Sequence, residues 1–164
     1  MTEAVAATFR IRPLVPADAG TVSQLVLSLS HRFLDDPGGA SARRLLATLS
    51  PDAALERLAS PHFHGWLAED SSGACGLILM RDTTHLYHLF VREDRQRRGI
   101  ATALWQRALS QLGAIAATRV TVNAAPGAVA FYRALGFTAS ESLHEEDGLR
   151  FLPMALSLDA STAG

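Results

Sequence analysis

The sequence contains no lysine, and its fifteen basic residues, all arginine, nearly balance sixteen acidic residues. A Walker-type phosphate loop needs a lysine after its last glycine to reach the β and γ phosphates of a nucleotide, so that class of site is excluded. A net charge of −1 does not indicate a nucleic-acid partner, and the four arginines between residues 92 and 98 are too few to follow a nucleic-acid groove. We therefore predict that the protein binds no nucleic acid.

Cysteines, long apolar runs and metal ligands are also scarce. Cys75 is the only cysteine, which excludes an intramolecular disulfide. No apolar run approaches the length of a membrane span and no signal segment is recognisable, so we expect a cytoplasmic protein without a membrane partner. His62 and His64 have the spacing of zinc ligands, but no cluster of cysteines or carboxylates supplies the remaining ligands. We predict no metal site.

The size of the chain and its composition fit one globular domain. With 164 residues and 48% hydrophobic content, the chain has enough apolar material for a single core. No repeat and no linker divides the sequence, so we predict one domain over residues 1–158 and a frayed tail over residues 159–164. The protein is expected to be a monomer or a homodimer.

Residues 96–101, Gln-Arg-Arg-Gly-Ile-Ala, follow an extended apolar run and open a helix. The first turn of a helix has unpaired N–H groups and the positive end of the helix dipole, so it attracts phosphate. Gly99 would let the backbone approach that phosphate closely. A dinucleotide fingerprint needs three glycines, and one is present here. The stretch predicts an anion-binding loop of another kind, the alternative being a solvated basic turn.

A second informative block begins about twenty residues after the start of that helix. Residues 120–123, Val-Thr-Val-Asn, have the composition of a short buried strand, and Pro126 is a typical helix starter. The helix that follows carries Phe131 and Tyr132, and Gly136 is placed to cap its end before Phe137.

Together the two blocks resemble the signatures of the GCN5-related N-acetyltransferases (GNATs). Gln96, Gly99 and Ala101 match the fixed positions of the acetyl-coenzyme A signature, Arg/Gln-x-x-Gly-x-Gly/Ala. Asn123, followed by Phe-Tyr-x-x-x-Gly-Phe from residue 131, matches the second signature. The resemblance implies acetyl-CoA as a cosubstrate and a primary amine of a small molecule or peptide as the acceptor. The alternative is a module that binds or senses acetyl-CoA without turnover.

The pattern of elements along the chain predicts an α/β fold. The resemblance implies a GNAT-like mixed sheet of about seven strands flanked by about four helices. Two parallel central strands, residues 85–92 and 119–123, would splay apart to admit the pantetheine arm. Residues 138–145 and 149–157 are predicted to form a hairpin, with Pro153 weakening its second strand or marking a bulge. Gly113 is expected to end the helix that follows the anion-binding loop.

The reaction requires a base, because an alkylamine with a pKa near 10 is protonated at neutral pH and cannot attack a thioester. Histidine suits this role. His85 and His88 lie three positions apart in one strand, which predicts that they point to opposite faces. The predicted face of His85 also carries Tyr87, Leu89 and Val91. The resemblance places the base near His85 and Tyr87, although relay through water or a purely structural role are alternatives.

The resemblance assigns further roles. The backbone N–H of Leu89 or Phe90 would stabilise charge on the acetyl oxygen. The phenol of Tyr132 would protonate the departing thiolate, and Asn123 would hydrogen-bond the pantetheine. The residues implied to bind acetyl-CoA are Leu89, Phe90, Val91, Gln96, Arg97, Arg98, Gly99, Ile100, Ala101, Thr102, Asn123 and Tyr132.

The acceptor is expected to enter between the loop after the first helix and the final hairpin. His31, Phe33 and Glu145 are the candidate acceptor-binding residues there. Carboxylates concentrated in the same two segments would attract a cationic amine, or they are ordinary solvated turns.

Overall fold

The computed structural model describes residues 8–158, and these residues are built around one mixed β-sheet of eight strands. The strands are β1 (Arg10–Pro13), β2 (Phe63–Asp70), β3 (Gly73–Arg81), β4 (His85–Val91), β5 (Arg119–Ala124), β6 (Thr138–Ala139), β7 (His144–Glu146) and β8 (Leu149–Ser157). Their order is β1-β2-β3-β4-β5-β8-β6, with β7 paired to β8. The predicted α/β fold is confirmed. The tail predicted over residues 159–164 lies outside the described residues.

Five α-helices cover the two faces of the sheet. They are α1 (Ala19–Ser28), α2 (Ala40–Ala47), α3 (Pro51–Ala59), α4 (Ile100–Ala114) and α5 (Val129–Ala134). The start of α3 is encoded locally, because Pro51 occupies the first turn and the Ser50 hydroxyl accepts the N–H of Ala53 at 3.2 Å. None of the helices within residues 8–158 has the length and hydrophobicity needed to span a bilayer.

The alternation of side chains along β3 divides the core into two clusters. Leu77 and Leu79 pack with residues of α1, whereas Ile78 and Met80 pack with residues of α4 and α5. Gly76 brings α4 close to the sheet, because a Cβ there would lie 3.1 Å from Ile100 Cγ2. We call the two sides of the sheet the α1 face and the α4 face.

A β-bulge interrupts β4 and changes which side chains share a face. Leu79 lies opposite His88 and Met80 lies opposite Leu86, so Tyr87 is an extra residue between the two pairs. His88 therefore lies on the α1 face with Leu79, as does His85 because its partner is Arg81. The prediction that the two histidines point to opposite faces was wrong because the bulge breaks the alternation.

The same bulge moves the residues that follow it. Tyr87 and Phe90 pack in the cluster of the α1 face, whereas Leu89 and Val91 pack in the cluster of the α4 face. The prediction that Leu89 and Val91 share a face with Tyr87 was therefore also wrong.

β4 and β5 are the one parallel pair of the described sheet, and they pair over only two residues. His85 lies beside Thr121 and Leu86 beside Val122, and no later residue of β4 pairs with β5. The predicted splay of the two central strands is confirmed. From Tyr87 onward, the edge of β4 that faces β5 is left without a neighbouring strand.

The C-terminal hairpin differs from the prediction in two ways. The predicted strand 138–145 is divided into β6 and β7, each of which pairs separately with β8. Pro153 causes no bulge, because β8 pairs with β5 in continuous register and Pro153 lies opposite Asn123. Asp147 and Gly148 have φ of 37° and 95° and form the two-residue loop between β7 and β8.

The end of α4 also differs from the prediction. The helix continues through Gly113 to Ala114. The N–H of Ala117 donates to Leu112 O and the N–H of Ala116 donates to Gly113 O, which is a Schellman motif. Ala116 occupies its left-handed position with φ of 55°, where glycine is the usual residue.

We predict that Ala116→Gly stabilises the protein by about 1 kcal/mol, because glycine has no steric penalty in the left-handed region. Chemical denaturation measures the effect. Ala114→Gly is the matched control, since Ala114 is also exposed but has helical geometry, and there glycine should destabilise by about 0.5–1 kcal/mol. Equal destabilisation by both substitutions would contradict the assignment of this helix end.

Candidate active site

The gap between β4 and β5 opens into a cavity of about 870 Å³. This volume is in the range of small-molecule sites. Most of the predicted site residues line it: Phe33, His85, Tyr87, Leu89, Phe90, Val91, Gln96, Arg97, Gly99, Ile100, Ala101, Thr102, Asn123 and Tyr132. Arg98, His31 and Glu145 do not line it.

The loop between β4 and α4 has the geometry of an anion-binding loop. Gln96 Nε2 donates to Val91 O at 2.9 Å and so ties the loop to the end of β4. Arg97 and Gly99 both have left-handed backbone, with φ of 62° and 82°. Such turns direct successive N–H groups toward a common concave side. A Cβ on Gly99 would meet no atom within 4 Å, so the space beside the backbone is open to a ligand.

The four arginines of this region divide into two pairs with different surroundings. Arg92 Nε lies 2.5 Å from Asp94 Oδ1, and Arg95 Nε lies 2.6 Å from Asp70 Oδ2. Hydrogen bonds from Ser72 and Arg95 hold the pKa of Asp70 well below its usual range. Arg97 and Arg98 are exposed, and no carboxylate within residues 8–158 forms an ion pair with either. These two guanidinium groups are therefore the ones available to an anionic ligand.

Tyr132 is positioned by the end of α5. The N–H of Phe137 donates to Tyr132 O at 3.0 Å, and the N–H of Gly136 donates to Arg133 O at 3.0 Å. With Gly136 at φ of 104°, these bonds form a Schellman motif, which is commonly closed by an apolar contact between its first and last residues. Here that contact joins the rings of Tyr132 and Phe137, 5.4 Å apart. The Phe-Tyr-x-x-x-Gly-Phe sequence thus fixes Tyr132 in the cavity wall.

Burial raises the pKa of the Tyr132 phenol above its ordinary value of about 10. A phenol in the apolar wall of a cavity is costly to ionise. The group therefore keeps its proton throughout the neutral range and can act as a hydrogen-bond donor.

His85 is held at the point where β4 and β5 separate. Its Nδ1 lies 2.8 Å from Thr121 Oγ1, across the last paired positions of the two strands. Burial lowers the pKa of His85, and the positive charge of Arg81 lowers it further. A lowered pKa means a neutral imidazole at pH 7, which is the form that accepts a proton.

His88 was not among the predicted site residues, yet it lines the same cavity. It is buried, and burial lowers its pKa to about 3. Its Nε2 has no hydrogen-bond partner within residues 8–158. Its ring lies 4.5 Å from that of Tyr87. No sequence signal indicates the bulge that turns His88 to this side.

The predicted acceptor-binding residues are placed differently from one another. Phe33 lies in the cavity wall with its ring 5.6 Å from that of Phe90. His31 Nε2 lies 2.7 Å from Glu93 Oε1, away from the wall. Glu145 Oε1 lies 3.9 Å from Arg150 Nε. Within residues 8–158, no group of three or more His, Cys, Asp or Glu side chains is arranged to hold a metal ion.

Comparison with known families identifies the domain. Residues 33–158 match the family model of the acetyltransferase (GNAT) domain. The chain belongs to the GNAT family. As a GNAT, it is an acetyl-CoA dependent acyltransferase. No curated protein matches the sequence.

Solved structures with this GNAT fold share little sequence with the chain. A GCN5-related N-acetyltransferase of Rhodopseudomonas palustris is 21% identical, with a TM-score of 0.77 over 96% of this chain and 100% of its own. The PaiA N-acetyltransferase of Thermoplasma acidophilum, in complex with coenzyme A, is 14% identical, with a TM-score of 0.72 over 92% and 99%. The ribosomal-protein-S18-alanine N-acetyltransferase of Escherichia coli is 15% identical, with a TM-score of 0.68 over 93% and 95%.

We predict that Gly99→Leu weakens the binding of coenzyme A about tenfold or more, because the side chain would fill the open space beside the loop. Isothermal titration calorimetry measures the affinity. Gly73→Leu is the matched control, since Gly73 also has positive φ and open space but lies at the start of β3, outside the cavity wall. Equal affinity in the two variants would contradict a phosphate-binding role for this loop.

Proposed function

We propose that this protein is an N-acetyltransferase that moves the acetyl group of acetyl-CoA directly to a primary amine of a small molecule or peptide. One observation carries the proposal. A single cavity is bordered by the anion-binding loop, by a buried phenol on α5 and by a neutral histidine where β4 and β5 separate. These are the groups needed to hold a coenzyme, protonate a leaving thiolate and deprotonate an amine.

The residues of this cavity fit acetyl-CoA. The loop offers backbone N–H groups together with Arg97 and Arg98, whose guanidinium groups match the charge and geometry of phosphate oxygens. Asn123 and the unpaired edge of β4 offer hydrogen bonds to the amide groups of a pantetheine arm. Acetyl-CoA supplies the activated acyl group as a thioester.

His85 is the proposed base. When Nδ1 donates its hydrogen to Thr121 Oγ1, Nε2 carries the lone pair and can take a proton from the acceptor amine. The freed amine nitrogen then forms the new N–C bond. The backbone N–H of Leu89 or Phe90, on the edge of β4 that lacks a neighbouring strand, is proposed to stabilise the negative charge that develops on the carbonyl oxygen.

Tyr132 is the proposed acid. As the C–S bond breaks, its phenol gives a proton to the departing sulfur, since a thiolate charge is costly in this buried wall. The newly acylated nitrogen then loses its second proton to solvent to give the neutral amide. Tyr132 recovers a proton from solvent and His85 releases one, so the protein returns to its starting state.

We predict that Tyr132→Phe lowers kcat about 10²- to 10⁴-fold while leaving the affinity for coenzyme A unchanged. Free-thiol release measures turnover, and calorimetry measures binding. Tyr87→Phe is the matched control, because Tyr87 is the other tyrosine of the chain and also lines the cavity. A large loss in Tyr87→Phe with none in Tyr132→Phe would transfer the acid role to Tyr87.

The same assay separates an enzyme from a sensor. Turnover with at least one amine supports the transferase. If acetyl-CoA raises the melting temperature but no amine increases thiol release, the protein is a binding module and the proposal is wrong.

We predict that kcat/KM falls on the acid side with an apparent pKa below the ordinary histidine value of about 6.5. The pKa of His85 is lowered, so the base is available at neutral pH and is lost only when the pH falls through that lower value. A pH–rate profile measures this acid-side fall in kcat/KM, which should disappear in His85→Gln. An acid-side fall that is unchanged in that variant would contradict the assignment of His85 as the base.

A further inference from the structure

The cavity wall contains arginine as its only charged residue type within the described chain. Its arginines are Arg32, Arg81, Arg95, Arg97 and Arg150, and neither aspartate nor glutamate lines it. Arg95 and Arg97 belong to the anion-binding loop. Arg32 is paired with Glu93 just before that loop, and Arg150 lies beyond the carboxyl end of β5, whereas Arg81 lies opposite His85 at the other end of β4. A cavity walled by cations repels a ligand that carries positive charge alone. The predicted attraction of a cationic amine by carboxylates therefore has no counterpart in this wall.

The three wall arginines outside the anion-binding loop are not neutralised equally. Arg150 Nε lies 3.0 Å from Asp35 Oδ2, and Arg32 Nε lies 3.6 Å from Glu93 Oε1. Within residues 8–158, the only carboxylate paired with Arg81 is that of Asp82, whose Oδ2 lies 4.0 Å from Arg81 Nε. The wall is therefore most positive around Arg81.

Arg81 shares its surroundings with a second guanidinium group, that of Arg57 on α3. The Cζ atoms of Arg57 and Arg81 lie 5.2 Å and 5.6 Å from the centre of the Tyr87 ring. Arg57 donates to Thr48 O and has no carboxylate within 4.0 Å in residues 8–158. An aromatic ring attracts each cation. Two positive charges therefore lie around a ring that lines the cavity, although only Arg81 itself lines it, and both would attract an anion bound beside Tyr87.

We propose that the acceptor is a small amine that carries a carboxylate, such as an α-amino acid, with the carboxylate bound by Arg81 beside Tyr87 and further attracted by the positive charge of Arg57. The amine of this acceptor is directed to His85, which lies two residues away on the same face. The planar guanidinium group matches a carboxylate through paired hydrogen bonds. This inference rests on the proposed N-acetyltransferase function and specifies its acceptor.

Matched acceptors test the substrate class. Phenylalanine, phenylalaninamide and phenethylamine share a side chain and a primary amine, but only the first carries a carboxylate. The same comparison is made with glutamate and alanine and their amides, with spermidine as a polycation. We expect kcat/KM from thiol release to be about tenfold or more higher for the amino acids than for their amides.

The arginine variants test the binding site. The assay is run at a pH well above the ordinary histidine pKa, so that loss of the Arg81 charge does not change the protonation of His85. There Arg81→Gln should raise KM about tenfold or more for the carboxylated acceptors with little change in kcat, and should leave the amides unaffected. Arg107→Gln is the matched control, since Arg107 is exposed on α4 and outside the cavity wall. Titration of the amino acid into protein saturated with coenzyme A provides a measure of binding that does not depend on turnover.

The outcomes separate this inference from the function on which it rests. Preference for spermidine or for the uncharged amides, or no effect of Arg81→Gln on KM, would overturn the acceptor class and leave the acetyltransferase standing. Failure of every amine to release thiol, with acetyl-CoA still bound, would overturn the proposed function and the acceptor class together.

Discussion

The end of pairing between β4 and β5 at Leu86 is the constraint on which the active site depends. A sheet that stayed paired would fill this space with backbone hydrogen bonds and leave no room for a ligand. The bulge at Tyr87 acts at the same point. By inserting one residue, it places His88 on the α1 face with His85 and Tyr87, and Leu89 and Val91 in the core beneath α4. The end of pairing thus opens the cavity, and the bulge selects which side chains line it.

The cavity joins two regions in which arginines have different partners and different effects. At the loop before α4, Arg92 and Arg95 are paired with carboxylates and hold the turn, whereas Arg97 remains available. At the far end, Arg57 and Arg81 converge on Tyr87. Burial lowers the pKa of the nearby histidines, the positive charge there lowers it further, and a neutral histidine is the form that a general base requires. The same charges therefore serve both ligand binding and proton transfer.

The features that the sequence predicts well are those set by neighbouring residues. Tyr132, Gly136 and Phe137 form one helix end, so the local sequence predicts the cap, and the resemblance to the family signature implies the position of the phenol. The splayed pair of parallel strands could be predicted because each of the two family signatures begins at or just after the end of one of them. The faces on which His88 and Leu89 lie could not be predicted. The extra residue of the bulge is recognisable only when the register of β4 against β3 is known. The convergence of Arg57 and Arg81 depends on α3 and β3, which are distant in sequence.

The exclusive use of arginine gives this protein a chemical property that a mixed set of basic residues would lack. A guanidinium group is not a nucleophile at any pH at which the enzyme works, because its pKa exceeds 12. Every basic side chain in the cavity wall is therefore either arginine or a histidine held neutral by its surroundings. An activated acyl group that enters the cavity meets no side-chain amine of the protein. The enzyme can thus concentrate positive charge around its reactive cosubstrate without offering a lysine for self-modification.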